Sequence, residues 1–375
     1  MAVDIWKAAR PEIKELVPYS PGKPIEEVER ELGISGAMKF ASNENPSGPS
    51  KAVLKAITDA FNQLNRYPDG GSYYVRHAIA KKFGLDPEGI VVANGSNEII
   101  DAVGRSFIST GEEGIIANPS FIMYRIAVQV MGGKPIFIPT KGFDHDLEAM
   151  AAAVTPKTKV IFVCNPNNPT GTTLGKDEVE SFMRAIPDRI VVVFDEAYID
   201  LVDRLDYPDH LKYLREGRLV VVTRTFSKVH ALAGLRIGYG ITSPEIASLL
   251  NRVRLPFNVS CLAQAAALKS LEDDKHIKKS IEMSKEGRNF LSKKFAEMNL
   301  RVIPSETNFV LVDLGVDGVA VTRELEKLGL IVRSMVSFGM SKEFVRITTG
   351  TMSENRKLVE GMKKVLSGMA SRRAG

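Results

Sequence analysis

Cysteine is nearly absent, with only Cys164 and Cys261 in a chain of 375 residues. Two thiols so far apart build neither a disulfide framework nor a zinc-ligand spacing, so no structural metal is expected and a reducing compartment is the natural setting. Long apolar runs are missing as well. Nothing approaches the roughly 18 apolar residues that cross a bilayer, and the N-terminal stretch with Asp4, Lys7, Arg10, Glu12 and Lys14 has no apolar core of signal-peptide length. A cytoplasmic protein without membrane contact is therefore expected. Charge of one sign is not in surplus either: 50 Lys and Arg face 45 Asp and Glu, a net charge of +5. No concentrated basic tract stands out, which speaks against nucleic acid as a partner. The G-x-G-x-x-G of dinucleotide-binding folds does not follow the first candidate strand, and Gly171 to Asp177 has one residue too few between its glycines for a P-loop.

What is present is an ordinary globular composition, 44% hydrophobic, long enough for two domains or one large domain with an annex. Short β-branched runs bounded by Gly, Pro or Asn alternate with helical patterns, as buried parallel strands do. The strand candidates are Ile90 to Ala93, Gly114 to Ala117, Lys159 to Cys164, Ile190 to Phe194 and Leu219 to Thr223. Helices are expected over Lys51 to Asn62, Glu98 to Phe107, Lys176 to Ala185 and Glu245 to Arg254, so the reading is an open α/β sheet. After about residue 270 the pattern changes to a long charged helix, His276 to Met298, then strands near Asn308 to Val312 and Phe344 to Ile347 around a helix at Val321 to Leu328. This predicts a large α/β domain over 46–270 and a smaller α+β domain over 271–375 joined by residues 1–45.

In such sheets ligands bind beyond the carboxyl ends of the strands, and each of the five candidate strands is followed by a polar motif. Gly95 and Ser96 open a helix after the first, offering free N–H groups and a positive dipole end to an anion, although Ser before a helix is as often a simple cap. Phe121 follows the second strand and can stack on a planar ring or belong to the core. NPNNPTG, Asn165 to Gly171, follows the third; a turn would explain it, yet it also fixes the Asn168 amide toward the crevice. Asp195 follows the fourth strand at the edge of the buried region, where a carboxylate needs a cation. Lys228 follows the fifth, with Thr225, Ser227 and Arg236 nearby. A partly desolvated lysine has a lowered pKa and attacks aldehydes, and two hydroxyls with a guanidinium bind a phosphate. An amine, an acid, an aromatic face and phosphate donors together are what pyridoxal 5'-phosphate requires.

The runs NPNNPTG, FDEAY and TFSK followed by LAGLRIGY, in this order, resemble the fold-type I aminotransferases. Within them PYSPGKP, SNENPSGPS, NRYPDG, PSETNFV and VRIT look like the histidinol-phosphate aminotransferase family, over nearly the whole chain. The resemblance implies a mostly parallel sheet of the seven-stranded type, a smaller α+β domain, and pyridoxal phosphate held as a Schiff base on Lys228. It implies Asp195 on the pyridine nitrogen, Asn168 and Tyr198 on the ring's phenolic oxygen, and Gly95, Ser96, Asn97, Thr225, Ser227 and Arg236 around the phosphate, with Phe121 stacked on the ring. Tyr67 is matched to a tyrosine that reaches the neighbouring subunit's cofactor, which implies a homodimer with shared sites. Tyr19, Asn43, Arg333 and Arg346 are placed with the substrate.

The implied reaction moves an amino group from L-histidinol phosphate to 2-oxoglutarate, giving imidazole acetol phosphate and glutamate. An aromatic aminotransferase and an amino-acid phosphate decarboxylase remain open beside it. Phe121 stands where the family often has tyrosine, and Asn97 where aspartate is common. His230, two positions after Lys228, is expected as a packing residue rather than a catalytic one.

Overall fold

A computed structural model describes residues 4–19 and 21–374. Thirteen strands occur among the described residues: β1 Met38–Lys39, β2 Ile90–Ala93, β3 Glu113–Asn118, β4 Lys134–Pro139, β5 Thr158–Cys164, β6 Val191–Asp195, β7 Val220–Thr225, β8 Gly238–Ile241, β9 Arg301–Ile303, β10 Phe309–Asp313, β11 Leu330–Ile331, β12 Arg333–Ser334 and β13 Phe344–Thr348. Seven of them form one sheet in the order β2-β8-β7-β6-β5-β3-β4. The ladders from β7 through to β4 are parallel, whereas β8 runs antiparallel to both of its neighbours.

The chain of Val, Ile and Phe in β5 and β6 explains the sheet's central position. Successive side chains alternate between faces, and both faces are covered: Ile161, Val163, Val192 and Phe194 join one apolar cluster, Val160, Phe162, Val191 and Val193 the other. A strand buried on both sides has no polar residue until its end. That end is where the crevice lies.

The smaller sheet, β12-β13-β10-β9, is antiparallel throughout. It packs on the helices Asp274–Ala296 and Met352–Ala374 through Leu291, Phe295, Val310, Val312, Val345, Ile347, Leu358 and Met362. The short parallel pair β1-β11 ties the N-terminal arm to this unit. We propose on this arrangement the division into a unit of 46–270 and one of 1–45 with 271–375. The first turns of the arm also reach the larger unit, with Arg10 Nη2 donating to the carbonyl of Val130, just after the helix Met123–Gln129, at 2.9 Å.

Two strands of the large sheet escape the sequence patterns. β4 carries Pro135 and Pro139, which only an edge strand tolerates, and it is the edge. β8 reads Gly-Tyr-Gly-Ile, more like a turn than a strand. Its glycines are required by close approach: a Cβ at Gly238 would stand 2.5 Å from Ser96 N, and one at Gly240 3.0 Å from Ile99 Cγ2. Between β7 and β8 lies a single 3-10 turn, Ala233–Leu235, and no α-helix. Without a crossover helix the chain returns antiparallel.

Gly238→Ala is expected to cost about 1–3 kcal/mol, the usual penalty for forcing atoms into a packed site, read as a lower denaturation midpoint. Gly368→Ala, in the helix Met352–Ala374 with nothing within 4 Å of its Cβ, leaves the midpoint unchanged or raises it.

Candidate active site

The ends of β5, β6 and β7, the turn after β2 and the N-terminal arm enclose a cavity of about 460 Å³. Its walls bring together Tyr19, Asn43, Gly95, Ser96, Asn97, Phe121, Asn168, Asp195, Tyr198, Thr225, Ser227, Lys228, Arg236 and Arg346. The structure therefore gathers residues from separate strand ends into one place. Tyr67 and Arg333 are not in that wall. Tyr67 is 81% exposed and stacks on Phe257 with ring centroids 4.6 Å apart. Arg333 lies beside Arg346 across the β12–β13 ladder, its Nη2 3.4 Å from Ser337 Oγ.

Asp195 is the last residue of β6 and is 3% exposed. Tyr124 Oη donates to its Oδ2 at 2.8 Å and the Ala197 amide to its Oδ1 at 3.1 Å. Among the described residues no cation forms an ion pair with it. Burial raises its pKa, against the pull of the Tyr124 hydroxyl, the Ala197 amide and the Lys228 charge. This is a carboxylate set up for a cation the chain does not itself provide.

Glu196, next along, faces the other side. It is held by His210 Nδ1 at 2.7 Å and Arg224 Nε at 2.7 Å. Burial would raise its pKa, but the Arg224 charge and the His210 bond outweigh that and the net shift is downward.

Lys228 Nζ donates to Asn43 O at 3.2 Å and lies 5.4 Å from the centroid of the Tyr198 ring. Burial, followed by the positive charge of Arg346, pushes its pKa down from 10.5 to about 8. About a tenth of this amine is thus unprotonated at pH 7, far more than of an ordinary lysine, and that is the form that attacks a carbonyl carbon. Tyr198 Oη accepts from Asn43 Nδ2 at 2.8 Å, and burial raises the tyrosine's pKa.

The anion cradle is built at the turn after β2. Gly95 has φ +76° and begins the helix Ser96–Phe107, whose free N–H groups face the cavity end. A Cβ at Gly95 would come within 2.7 Å of Arg236 Nη2, so only glycine lets the guanidinium reach this turn. Thr225 Oγ1 donates to Ser227 Oγ at 3.0 Å on the same side.

Arg346, on β13, crosses from the smaller sheet. Its Nη1 donates to Asn168 Oδ1 and its Nη2 to Ala41 O at 2.8 Å, while the buried Nε has no partner. Burial pushes its pKa down to about 10, so it stays charged at neutral pH. Phe309 and Phe338 flank the guanidinium at 5.2 and 5.6 Å.

Four contributors were not singled out by the sequence reading. Tyr124 is fully buried, stacked on Phe162 at 4.9 Å, and its one signal was its place three residues after Phe121. Phe338 stands in the 3-10 turn Val336–Phe338 with nothing local to mark it, and Asn308 and Thr348 lie within PSETNFV and VRIT, where neither was singled out. His230 lies outside the cavity wall. Its Nδ1 is 2.7 Å from Ser270 Oγ, its ring 4.7 Å from Phe226, and burial pushes its pKa to about 3.

Comparison with known proteins adds a family. The model of the class I and II aminotransferases matches residues 35–362. The histidinol-phosphate aminotransferase of Moorella thermoacetica is 46% identical over 96% of this chain and 93% of its own. That of Caldicellulosiruptor saccharolyticus is 46% identical over 94% and 99%. The crystal structure of histidinol-phosphate aminotransferase from Sinorhizobium meliloti in complex with pyridoxal-5'-phosphate superposes with a TM-score of 0.88 at 28% identity, covering 96% of this chain and 97% of that one.

A lysine whose folded pKa lies below its unfolded value destabilises the fold when charged. This group's contribution to stability therefore improves as pH rises from about 8 to the ordinary 10.5. Labelling of Lys228 by an added aldehyde with borohydride reduction, read by mass spectrometry, should rise with pH and be half-maximal near 8. Tyr124→Phe removes a hydrogen bond to a buried carboxylate and should cost about 1.5–3 kcal/mol at neutral pH in chemical denaturation.

Proposed function

Because the chain belongs to the histidinol-phosphate aminotransferase family of the class I and II aminotransferases, we propose that it transfers the amino group of L-histidinol phosphate to 2-oxoglutarate. The products are imidazole acetol phosphate and glutamate, a step of histidine biosynthesis, and we place the enzyme in the cytoplasm.

The residues present fit pyridoxal phosphate. The observation that carries the reading is the Asp195 carboxylate, buried without a cation, in one cavity with the depressed Lys228 amine. When bound, the cofactor supplies an aldehyde for an amine and a ring that accepts the electron pair of a breaking Cα–H bond. Asp195 would pair with the pyridine nitrogen and keep it protonated. Asn168 and Tyr198 would hold the ring's phenolic oxygen, Phe121 would cover one face, and Gly95, Ser96, Asn97, Thr225, Ser227 and Arg236 would take the phosphate.

Lys228, once its amine is free, is the group that removes the proton from the substrate's Cα; at a pKa of about 8 it can take that proton and return it near neutral pH. Arg346, with its unpartnered Nε, is the main anchor for the anionic end of the substrate, assisted by Arg333 and Tyr19.

A homodimer with shared sites belongs to the same reading. Phe61, Leu64, Tyr67, Tyr74, Leu255 and Phe257 are exposed, with Tyr67 stacked on Phe257, and exposed apolar and aromatic side chains suit a partner. A second copy would cover it and bring its own Tyr67 to this cavity.

Lys228→Ala should lose the absorbance of covalently bound cofactor and reduce turnover by about 10²–10⁴-fold, the usual share of a general base. Amino-acceptor assays with 2-oxoglutarate against histidinol phosphate, phenylalanine and threonine phosphate test the substrate. A preference for phenylalanine over histidinol phosphate overturns the assignment, and release of CO₂ from threonine phosphate would make the protein a lyase. In sedimentation, Leu64→Asp should shift a dimer toward monomer.

A further inference from the structure

Asn43 touches more of the site's machinery than any role in gripping a substrate would require. It is 2% exposed and sits at φ +56°, a backbone conformation that costs a side-chain-bearing residue energy, although asparagine tolerates it better than most. All of its polar groups are committed. Its N–H donates to Thr348 Oγ1 at 2.9 Å. Its carbonyl accepts from Lys228 Nζ at 3.2 Å and from Asn308 Nδ2 at 3.0 Å. Its Nδ2 donates to Tyr198 Oη at 2.8 Å, and its Oδ1 accepts from Thr348 Oγ1 at 3.0 Å.

The pattern has a direction. Thr348 and Asn308 belong to β13 and to the turn before β10, both in the smaller sheet's unit, while Lys228 and Tyr198 stand at the ends of the large sheet. The Asn43 amide is placed with its oxygen toward the Thr348 hydroxyl and its nitrogen toward Tyr198. Tyr198 Oη is thereby an acceptor toward Asn43, and its own proton is left to point into the cavity. The carbonyl, held by Asn308 from one side, presents its other lone pair to the Lys228 amine.

We propose that Asn43 is a positioning residue that couples the smaller unit to Lys228 and Tyr198, orienting the Tyr198 hydroxyl as a donor and holding the Lys228 amine beside the reacting carbon. It rests on the reading of the cavity as a pyridoxal phosphate site and replaces the expectation that Asn43 binds substrate. An amide that donates to a hydroxyl makes that hydroxyl a better donor in turn. Removing the amide weakens the hydroxyl's hold on a negative oxygen next to it.

Asn43→Gly keeps the backbone groups, accepts the positive φ and deletes only the amide. In the cofactor-loaded protein without substrate, the pH midpoint of the bound cofactor's absorbance should rise by about 0.4–1 unit, the equivalent of one neutral hydrogen bond. The value of kcat should fall about 10-fold, while KM for the amine substrate moves less than about threefold. If Asn43→Gly does not fold, Thr348→Val, which removes the hydroxyl bonded to the amide oxygen, should move the absorbance midpoint in the same direction. A raised KM with an unmoved midpoint would make Asn43 a substrate contact and overturn the proposal; so would a variant in which midpoint, kcat and KM all stay at the wild-type values. Failure of the wild-type protein to show a cofactor absorbance at all would instead remove the cofactor reading beneath it.

Discussion

A carboxylate kept from water must find a cation or take up a proton, and the site is organised around the one that finds neither within its own chain. The apolar run of β6 carries Asp195 to the cavity floor, and Tyr124 and the Ala197 amide fix its two oxygens. Glu196 shows the alternative one residue later. Because neighbouring side chains of a strand point to opposite faces, Glu196 enters the sheet's other side, where Arg224 neutralises it and His210 lies within hydrogen-bond distance. Two adjacent acids thus have opposite pKa shifts. One is closed off as structure and the other stays open to the cavity.

The cations around the cavity follow from the same constraint. Lys228, Arg236 and Arg346 line it against the two carboxylates Glu44 and Asp195. An excess of positive charge in a confined space attracts a phosphate and an anionic substrate. It also disfavours a proton on Lys228, adding to burial. Anion binding and amine activation are thus one electrostatic arrangement.

The large sheet and most of the residues that line its cavity were legible in the sequence because a parallel strand buried on both faces is a continuous apolar run, and the first polar residue after it marks the crevice. NPNNPTG, FDEAY and TFSK are read that way. Strand β6 extends one residue further than the pattern, since the Asp195 carbonyl still accepts from the Asn165 N–H at 3.0 Å. What could not be read depends on distant contacts. β8 is held by glycines whose need is visible only once Ser96 and Ile99 are beside them. Tyr124 looks like core until Asp195 is placed over it. Tyr67 has no function within its own cavity, and its exposure gains meaning only if a second chain is present.

The same geometry explains why an anionic substrate group is easier to predict than its chemical identity. An arginine that selects a carboxylate does so with two parallel N–H donors. Arg346 gives one hydrogen of Nη1 to Asn168 and one of Nη2 to Ala41, so the Nε hydrogen and the second hydrogen of each Nη remain of its five N–H donors. The guanidinium can therefore take an anion without giving up the bonds that join the turn after β5 to the arm. Arg333, the cross-strand partner of Arg346, puts a second cation on the adjacent strand. Two guanidiniums on neighbouring strands suit an anion with several oxygens pointing in different directions, as a phosphate ester has, while still admitting the carboxylates of 2-oxoglutarate. Such a site can serve both half-reactions with one set of cations. Selectivity between amines must then come from the part of the substrate that carries no charge, and from the shape that Tyr19, Phe121 and Phe338 leave for it.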